Sequence, residues 1–253
     1  MTSYISVNPK DIQKELDKLE EMHKQNNQLR ASLFNLIVYV HKNDKIQFFL
    51  NIVDQITQRF PCRIIFVEED ILQKESSLKT SIAAKIIQNG DSPQVVCDKI
   101  YIETSGDTTE QVHHLILEHV IVDLPIYLLW GQDPTLNHPL FAPLKQMAGR
   151  LIFHSECSKN LQQLSIKLLE NVIHPNLDIA DLNWIYLEEW KGVLKALFST
   201  TEMTPYLYQI KKINLTFCST PTPSFSHNHF QVHYLHAWLA SQLNWEFVHY
   251  GIS

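Results

Sequence analysis

The chain has 253 residues, 45% hydrophobic and 10% aromatic, with a formal charge of −6 and a pI near 6.1. That apolar content is too high for a disordered chain, and the length suits one large α/β domain or an ordinary domain with a smaller companion. The charge excludes sequence-independent nucleic-acid binding, which needs clustered Lys and Arg, and no apolar run approaches the ~20 residues that span a bilayer. The first ten residues lack the apolar core of a signal peptide, so a cytoplasmic location is expected. Cys62, Cys97, Cys157 and Cys218 lie too far apart for a Cys-x-x-Cys pair and read as reduced, mostly buried thiols.

In chain order, Asp11 to Asn27 reads as an amphipathic helix, with Ile12, Leu16, Leu19 and Met22 at three- and four-residue spacing. Leu33 to Val40 is a strand. A helix from about Lys45 to Arg59, opened by Asn43 and Asp44, and a strand over Pro61 to Val67 complete a β-α-β unit. The pattern then predicts a short helix from Leu78 to Gln88 before the turn Asn89-Gly90-Asp91. A half-exposed strand over Val95 to Glu103 and a helix over Asp107 to His119 follow.

Val120 to Trp130 is the stretch around which the rest is organised. Its last five residues are apolar and β-favouring without alternation, as in a strand buried on both faces of a parallel sheet, and Pro125 suits the strand's first position. A turn at Gly131 to Pro134 ends it. A helix over Pro139 to Ala148, a strand over Arg150 to His154 and a helix capped by Ser155 and running to Ile173 come next. Strands alternating with helices predict a doubly wound, mostly parallel α/β sheet, Rossmann-like without a Gly-rich loop.

A boundary is placed at His174-Pro175-Asn176, giving an N-terminal domain over 1–174 with a leading helix and a smaller α/β domain over 175–253. The second is expected to hold a helix opening at Asp181, a strand over Ile210 to Phe217, a loop over Ser219 to Ser224, a helix over Asn228 to Leu243 and a last strand over Trp245 to Tyr250.

The six glycines are too dispersed for a phosphate-cradling loop, so G-x-G-x-x-G and Walker A signatures are absent, as is a Gly-x-Ser-x-Gly elbow. No catalytic residue or cofactor is assigned. His229 and His233 lie one helical turn apart, a workable ligand spacing, but with His227 and His236 they have no Glu-x-x-His or Cys partner. They read as a histidine-rich helix start, and no metal is assigned. His113, His114 and His119 are read as solvated. Asp123 and Arg150 sit beside strand termini and read as structural rather than as acid and guide of a catalytic centre.

Asp181 to Lys191 is the most informative stretch outside the sheet. Asp181 makes a good N-cap, and Leu187, Trp190, Leu194, Leu197 and Phe198 share an apolar face. Trp184 flanks it beside Glu188 and Lys191. Packing under the lysine stem at the core edge is favoured over an exposed interface anchor.

Several segments, taken in order, resemble the OpcA family of glucose-6-phosphate dehydrogenase assembly proteins. They are Arg30 with Asn35 to Val40, Pro61 to Ile65, Asp123 to Trp130, Arg150 to Ile152 with Ser155, Asp181 to Trp184 with Leu187 and Trp190, and Trp238 to Trp245. The resemblance implies a non-catalytic protein that binds glucose-6-phosphate dehydrogenase and promotes its assembly or activation in the oxidative pentose phosphate pathway. It also implies partner-binding or motif-supporting roles for Asp123, Pro125, Trp130, Arg150, Ser155, Asp181, Asn183, Trp184, Trp190 and Lys191. Four positions depart from the family pattern: Gly149 and His154 stand where Asp is usual, and Tyr186 and Lys191 where Arg is usual. A lysine does not reproduce a bidentate guanidinium contact, so an interface built on that arginine is expected to be altered. A C-terminal contact is also expected to be missing, since relatives are expected to continue past the last tryptophan motif. The alternative is a sugar-phosphate or nucleotide-binding protein, or an enzyme, using the carboxyl end of the sheet.

Overall fold

Asn35 to His41 reads Asn-Leu-Ile-Val-Tyr-Val-His and is buried along all but its last residue, the pattern of a strand covered on both faces. Around it a computed structural model builds a nine-stranded sheet among the described residues, which are 4–26, 28–43, 45–87, 94–158, 160–172, 177–217 and 229–246. Through the sheet the elements are β1 (Ile5–Val7), α1 (Ile12–Gln25), β2 (Leu29–Arg30), β3 (Asn35–His41), α2 (Ile46–Arg59), β4 (Arg63–Asp70) and β5 (Ser77–Ile87). They continue as β6 (Val95–Ser105), α3 (Thr109–His119), β7 (Ile126–Trp130), α4 (Phe141–Met147), β8 (Arg150–Phe153), α5 (Leu161–Val172) and β9 (Asp178–Asp181).

The strand order is β1-β5-β6-β4-β3-β7-β8-β9, with β2 pairing on β6. Strands β6, β4, β3, β7 and β8 are mutually parallel, while at one side β5 pairs antiparallel with β6 and β1 antiparallel with β5. The chain therefore winds outward from β3 to β4 and then returns to place β7 on the other side of β3. That reversal is a topological switch point, at the adjacent carboxyl ends of β3 and β7.

One face of the sheet carries a core of Ile37, Tyr39, Ile65, Val67, Ile100, Ile102, Leu128 and Trp130, closed by Ile12 and Leu16 of α1, Val112 and Ile116 of α3 and Leu144 of α4. As the 3.6-residue period predicts, Ile12 and Leu16 are fully buried. Cys62 and Cys97 are buried too, and burial pushes their thiols up to about 12 and about 11, so they are unreactive core residues.

Three predicted elements differ. Residues 78–88 are expected to be helical, but Ser77–Ile87 is a strand paired with β6 over its whole length. Its β-branched Thr80, Ile82, Ile86 and Ile87 suit a pleated surface, and the tertiary partner decides what a weak helical pattern does not. Strand β6 is also mostly buried rather than half-exposed, because β4 and β5 flank it on both sides. Residues 211–217 form no strand, so among the described residues of 175–253 the one strand is β9 and the other regular elements are helices. The predicted turn at Asn89 to Asp91, the boundary at His174 to Asn176, the loop at Ser219 to Ser224, His227, Cys218 and most of the last strand lie outside the described residues.

The chain divides into two units, Met1–Phe153 with Cys157–Ile179, and His154–Glu156 with Ala180–Ser253. The second contains α6 (Leu182–Tyr186), α7 (Glu188–Leu197), α8 (Thr204–Leu207) and α9 (His229–Leu243). Among the described residues no helix is long and apolar enough to cross a membrane.

Candidate functional site

The C-terminal unit is pinned by one buried polar network. Asp181, with extended backbone, caps α6 as its sequence predicts, and its Oδ1 accepts from Asn183 N at 3.0 Å and from Ser155 N at 3.1 Å. Its Oδ2 accepts from the Tyr234 hydroxyl of α9 at 2.6 Å. Asn183, fully buried, donates from Nδ2 to Ser155 Oγ at 2.8 Å and accepts from Gln231 Nε2 at 3.1 Å. Three of the predicted site residues, Ser155, Asp181 and Asn183, thus meet in one cluster. Burial raises the Asp181 carboxyl above its ordinary value, although the bonds from Tyr234, Asn183 and Ser155 pull the other way. Their arrangement satisfies the buried polar groups by pairing them with one another.

On that scaffold α6 and α7 present the tryptophans. Trp184 is 40% exposed, edge-on to Tyr234, with the Lys191 ammonium 4.1 Å from its ring centroid. Lys191 itself is buried and ion-pairs with Glu188, so it supports Trp184 from beneath. Trp190 is 61% exposed. It borders an open apolar groove of about 580 Å³ whose walls include Leu194 and Phe198 of the α7 end and Leu235, Trp238 and Leu239 of α9. The apolar face read from the sequence is therefore split, since Leu187 packs inward while Trp190 and Leu197 remain open.

The remaining predicted residues lie in the sheet unit and are not brought together. Asp123 and Pro125 are exposed in the turn before β7, at the amino end of that strand. The turn is held by fully buried Asn35, whose Nδ2 donates to Ile121 O at 2.9 Å and whose Oδ1 accepts from Ile121 N at 2.8 Å. Arg150 pairs with Asp178 at 3.0 Å and lies over Tyr127. Trp130 is buried and stacks on Tyr39 with centroids 4.2 Å apart. His119, expected to be solvated, is buried, because Arg63 Nη1 donates to the His119 carbonyl at 3.0 Å and draws the end of α3 onto β4.

Sequence spacing missed a second cluster, at the switch point. The register sets His41 directly opposite Glu69 and Tyr39 opposite Trp130. Gly131 permits the close exit from β7: a Cβ there would lie 2.7 Å from Val40 Cγ1 and 2.9 Å from the Tyr39 carbonyl. The following loop, turned by Thr135 N and Oγ1 on Asp133, brings His138 back over β3. There the Tyr39 hydroxyl donates to Glu69 and lies 2.8 Å from His138 Nε2 and 3.1 Å from His41 Nε2. Burial alone would raise the Glu69 carboxyl, but the bonds from His138 and Tyr39 outweigh it and hold the group below its ordinary range. Burial lowers the His41 imidazole. With residues 39 and 138 nearly a hundred positions apart, only the strand order signals this site.

Residues 53–169 match the family described as the glucose-6-phosphate dehydrogenase subunit N-terminal domain. The chain is 26% identical over 201 residues to OxPP cycle protein OpcA of Nostoc punctiforme, covering 79% of this chain and 41% of that protein. Against the protein of the same name from Synechocystis sp. it is 28% identical over 203 residues, with the same coverage. The chain is similar to the OpcA proteins. It spans about two-fifths of the length of these relatives.

Of the four positions singled out in the sequence, two meet. His154 and Tyr186 face each other with centroids 6.2 Å apart. Lys191 places its cation on Trp184. Gly149 acts through its backbone, donating to Ile126 O at 2.9 Å and accepting from Asp178 N.

Proposed function

We propose that this chain is a non-catalytic partner of glucose-6-phosphate dehydrogenase that binds it through the C-terminal unit and promotes its assembly or activation. The observation that carries the reading is the exposure of Trp184 and Trp190 on consecutive helices, the first of them fixed by a buried hydrogen-bonded network. Rigid aromatic side chains at a surface are the usual anchors of an interface, because they bring large contact area at small entropic cost. The match of residues 53–169 to the glucose-6-phosphate dehydrogenase subunit family and the similarity to the OpcA proteins support the dehydrogenase as the partner.

The test is Trp190→Ala. With 61% of the residue exposed, its loss is expected to change folding stability by no more than about 0.5 kcal/mol. Affinity for the dehydrogenase of the same organism is expected to fall by about 2 kcal/mol, near thirtyfold, as for an interface anchor. Unchanged affinity would remove this surface from the reading.

The rival reading, a sugar phosphate or nucleotide at the carboxyl end of the sheet, meets a charge obstacle. Glu68, Glu69 and Asp70 end β4, and Glu103 lies near the end of β6, so four carboxyl side chains crowd the edge a phosphate would enter.

A further inference from the structure

The same edge suits a cation. We infer that His41, Glu69 and His138, with the Tyr39 phenol oxygen at the fourth corner, form a site for a divalent first-row transition metal, zinc being the best fit. One ligand atom from each of the first three lies within 4.8 Å of the others. Zinc held by nitrogen and oxygen at about 2.0–2.1 Å places tetrahedral ligands roughly 3.4 Å apart. The separations here are 3.1 Å for His138 Nε2 to Glu69 Oε2, 2.8 Å for His138 Nε2 to the Tyr39 oxygen and 3.1 Å for His41 Nε2 to the Tyr39 oxygen. All three lie inside that spacing, and the Tyr39 hydroxyl is closer still to Glu69, so the four side chains would have to open around an ion.

Two imidazoles, a carboxylate and a phenol are borderline donors that favour zinc and its neighbours over calcium or magnesium. Three separate segments supply them: β3 gives Tyr39 and His41 on one face, β4 gives Glu69 at the register position opposite His41, and the loop after β7 gives His138. The Glu69 and His138 side chains keep 12% and 18% of their surface exposed, so an ion can enter from the carboxyl edge. Trp130, stacked on Tyr39 and edge-on to His138, forms a dry wall behind them. Coordination replaces the hydrogen bonds among Tyr39, His41, Glu69 and His138 with bonds to the ion, and it also gives up the Leu140 amide donating to His138 Nδ1 at 3.3 Å, which is at the long end of the hydrogen-bond range.

The test uses the untagged full chain, stripped with a chelator and titrated with Co2+ and Zn2+. One equivalent is expected to bind saturably, with the visible absorption of tetrahedral Co2+, and zinc is expected to displace the cobalt. His138→Ala and the nearly isosteric Glu69→Gln should each weaken binding by more than about tenfold, while His233→Ala, in the histidine-rich α9, should leave it unchanged. Circular dichroism identifies the folded variants. The absence of saturable binding, its persistence in folded Glu69→Gln and His138→Ala, or its loss in His233→Ala alone would overturn the assignment.

Discussion

Asp181 illustrates how one carboxylate can hold a surface in position. Its two oxygens accept from a helix amide, a loop amide and a tyrosine on a distant helix, so the orientation of α6 depends on a group with only 8% of its surface exposed. Asp181→Ala removes an N-cap and strands the Tyr234 hydroxyl, for an expected loss of about 2–4 kcal/mol in chemical denaturation. A loss below about 0.5 kcal/mol would show that the network is incidental. His119 makes a second prediction, about pH. Burial holds its imidazole below the ordinary value, and both ring nitrogens are without a hydrogen-bond partner. The unfolded chain therefore takes up protons first as pH falls below about 6.5. The stability held by this group is complete above that pH and lost as pH falls through the lowered folded value. In His119→Leu, stability between about pH 5 and pH 7 should fall less steeply on acidification, as measured by urea unfolding across that window. An unchanged slope would refute the assignment.

At the scale of elements, β3, β4, β7 and β8 were legible because unbroken apolar runs of three to five residues mark strands of a parallel sheet. So was the cap at Asp181. Strands β1 and β2 were not, since two or three residues carry no periodicity, and β5 was misread because only its partner β6 fixes its conformation. The candidate site divides in the same way. The tryptophans and Asp181 stand close together in sequence, whereas Tyr39, Glu69 and His138 meet only through strand order. The ionic tie among β2, β4 and β6 is also non-local: Asp98 accepts from Arg63 Nη2 at 2.6 Å and Arg30 Nε at 2.9 Å. Asp98→Ala leaves Arg63 buried without its anion, and an expected loss of about 3–5 kcal/mol follows. Denaturant midpoints for the wild type and the variant measure it, and a loss under about 1 kcal/mol would mean that the arginines re-pair or reach water.

For the whole molecule, affinity alone does not make an activator. A partner that shifts an enzyme toward its competent state has to bind that state better than the alternative, typically by about 1 to 3 kcal/mol of coupling. By reciprocity, the competent form of the dehydrogenase should bind this chain more tightly by the same factor. The sheet unit carries the switch-point cluster and the helical unit the exposed tryptophans. The most direct measurement is a titration of the same organism's glucose-6-phosphate dehydrogenase with this chain at fixed substrate, following activity and oligomer size together. A saturable rise in activity with a co-eluting complex, reduced by Trp190→Ala, is the predicted result. Neither complex nor activation, with both proteins folded, would contradict the account.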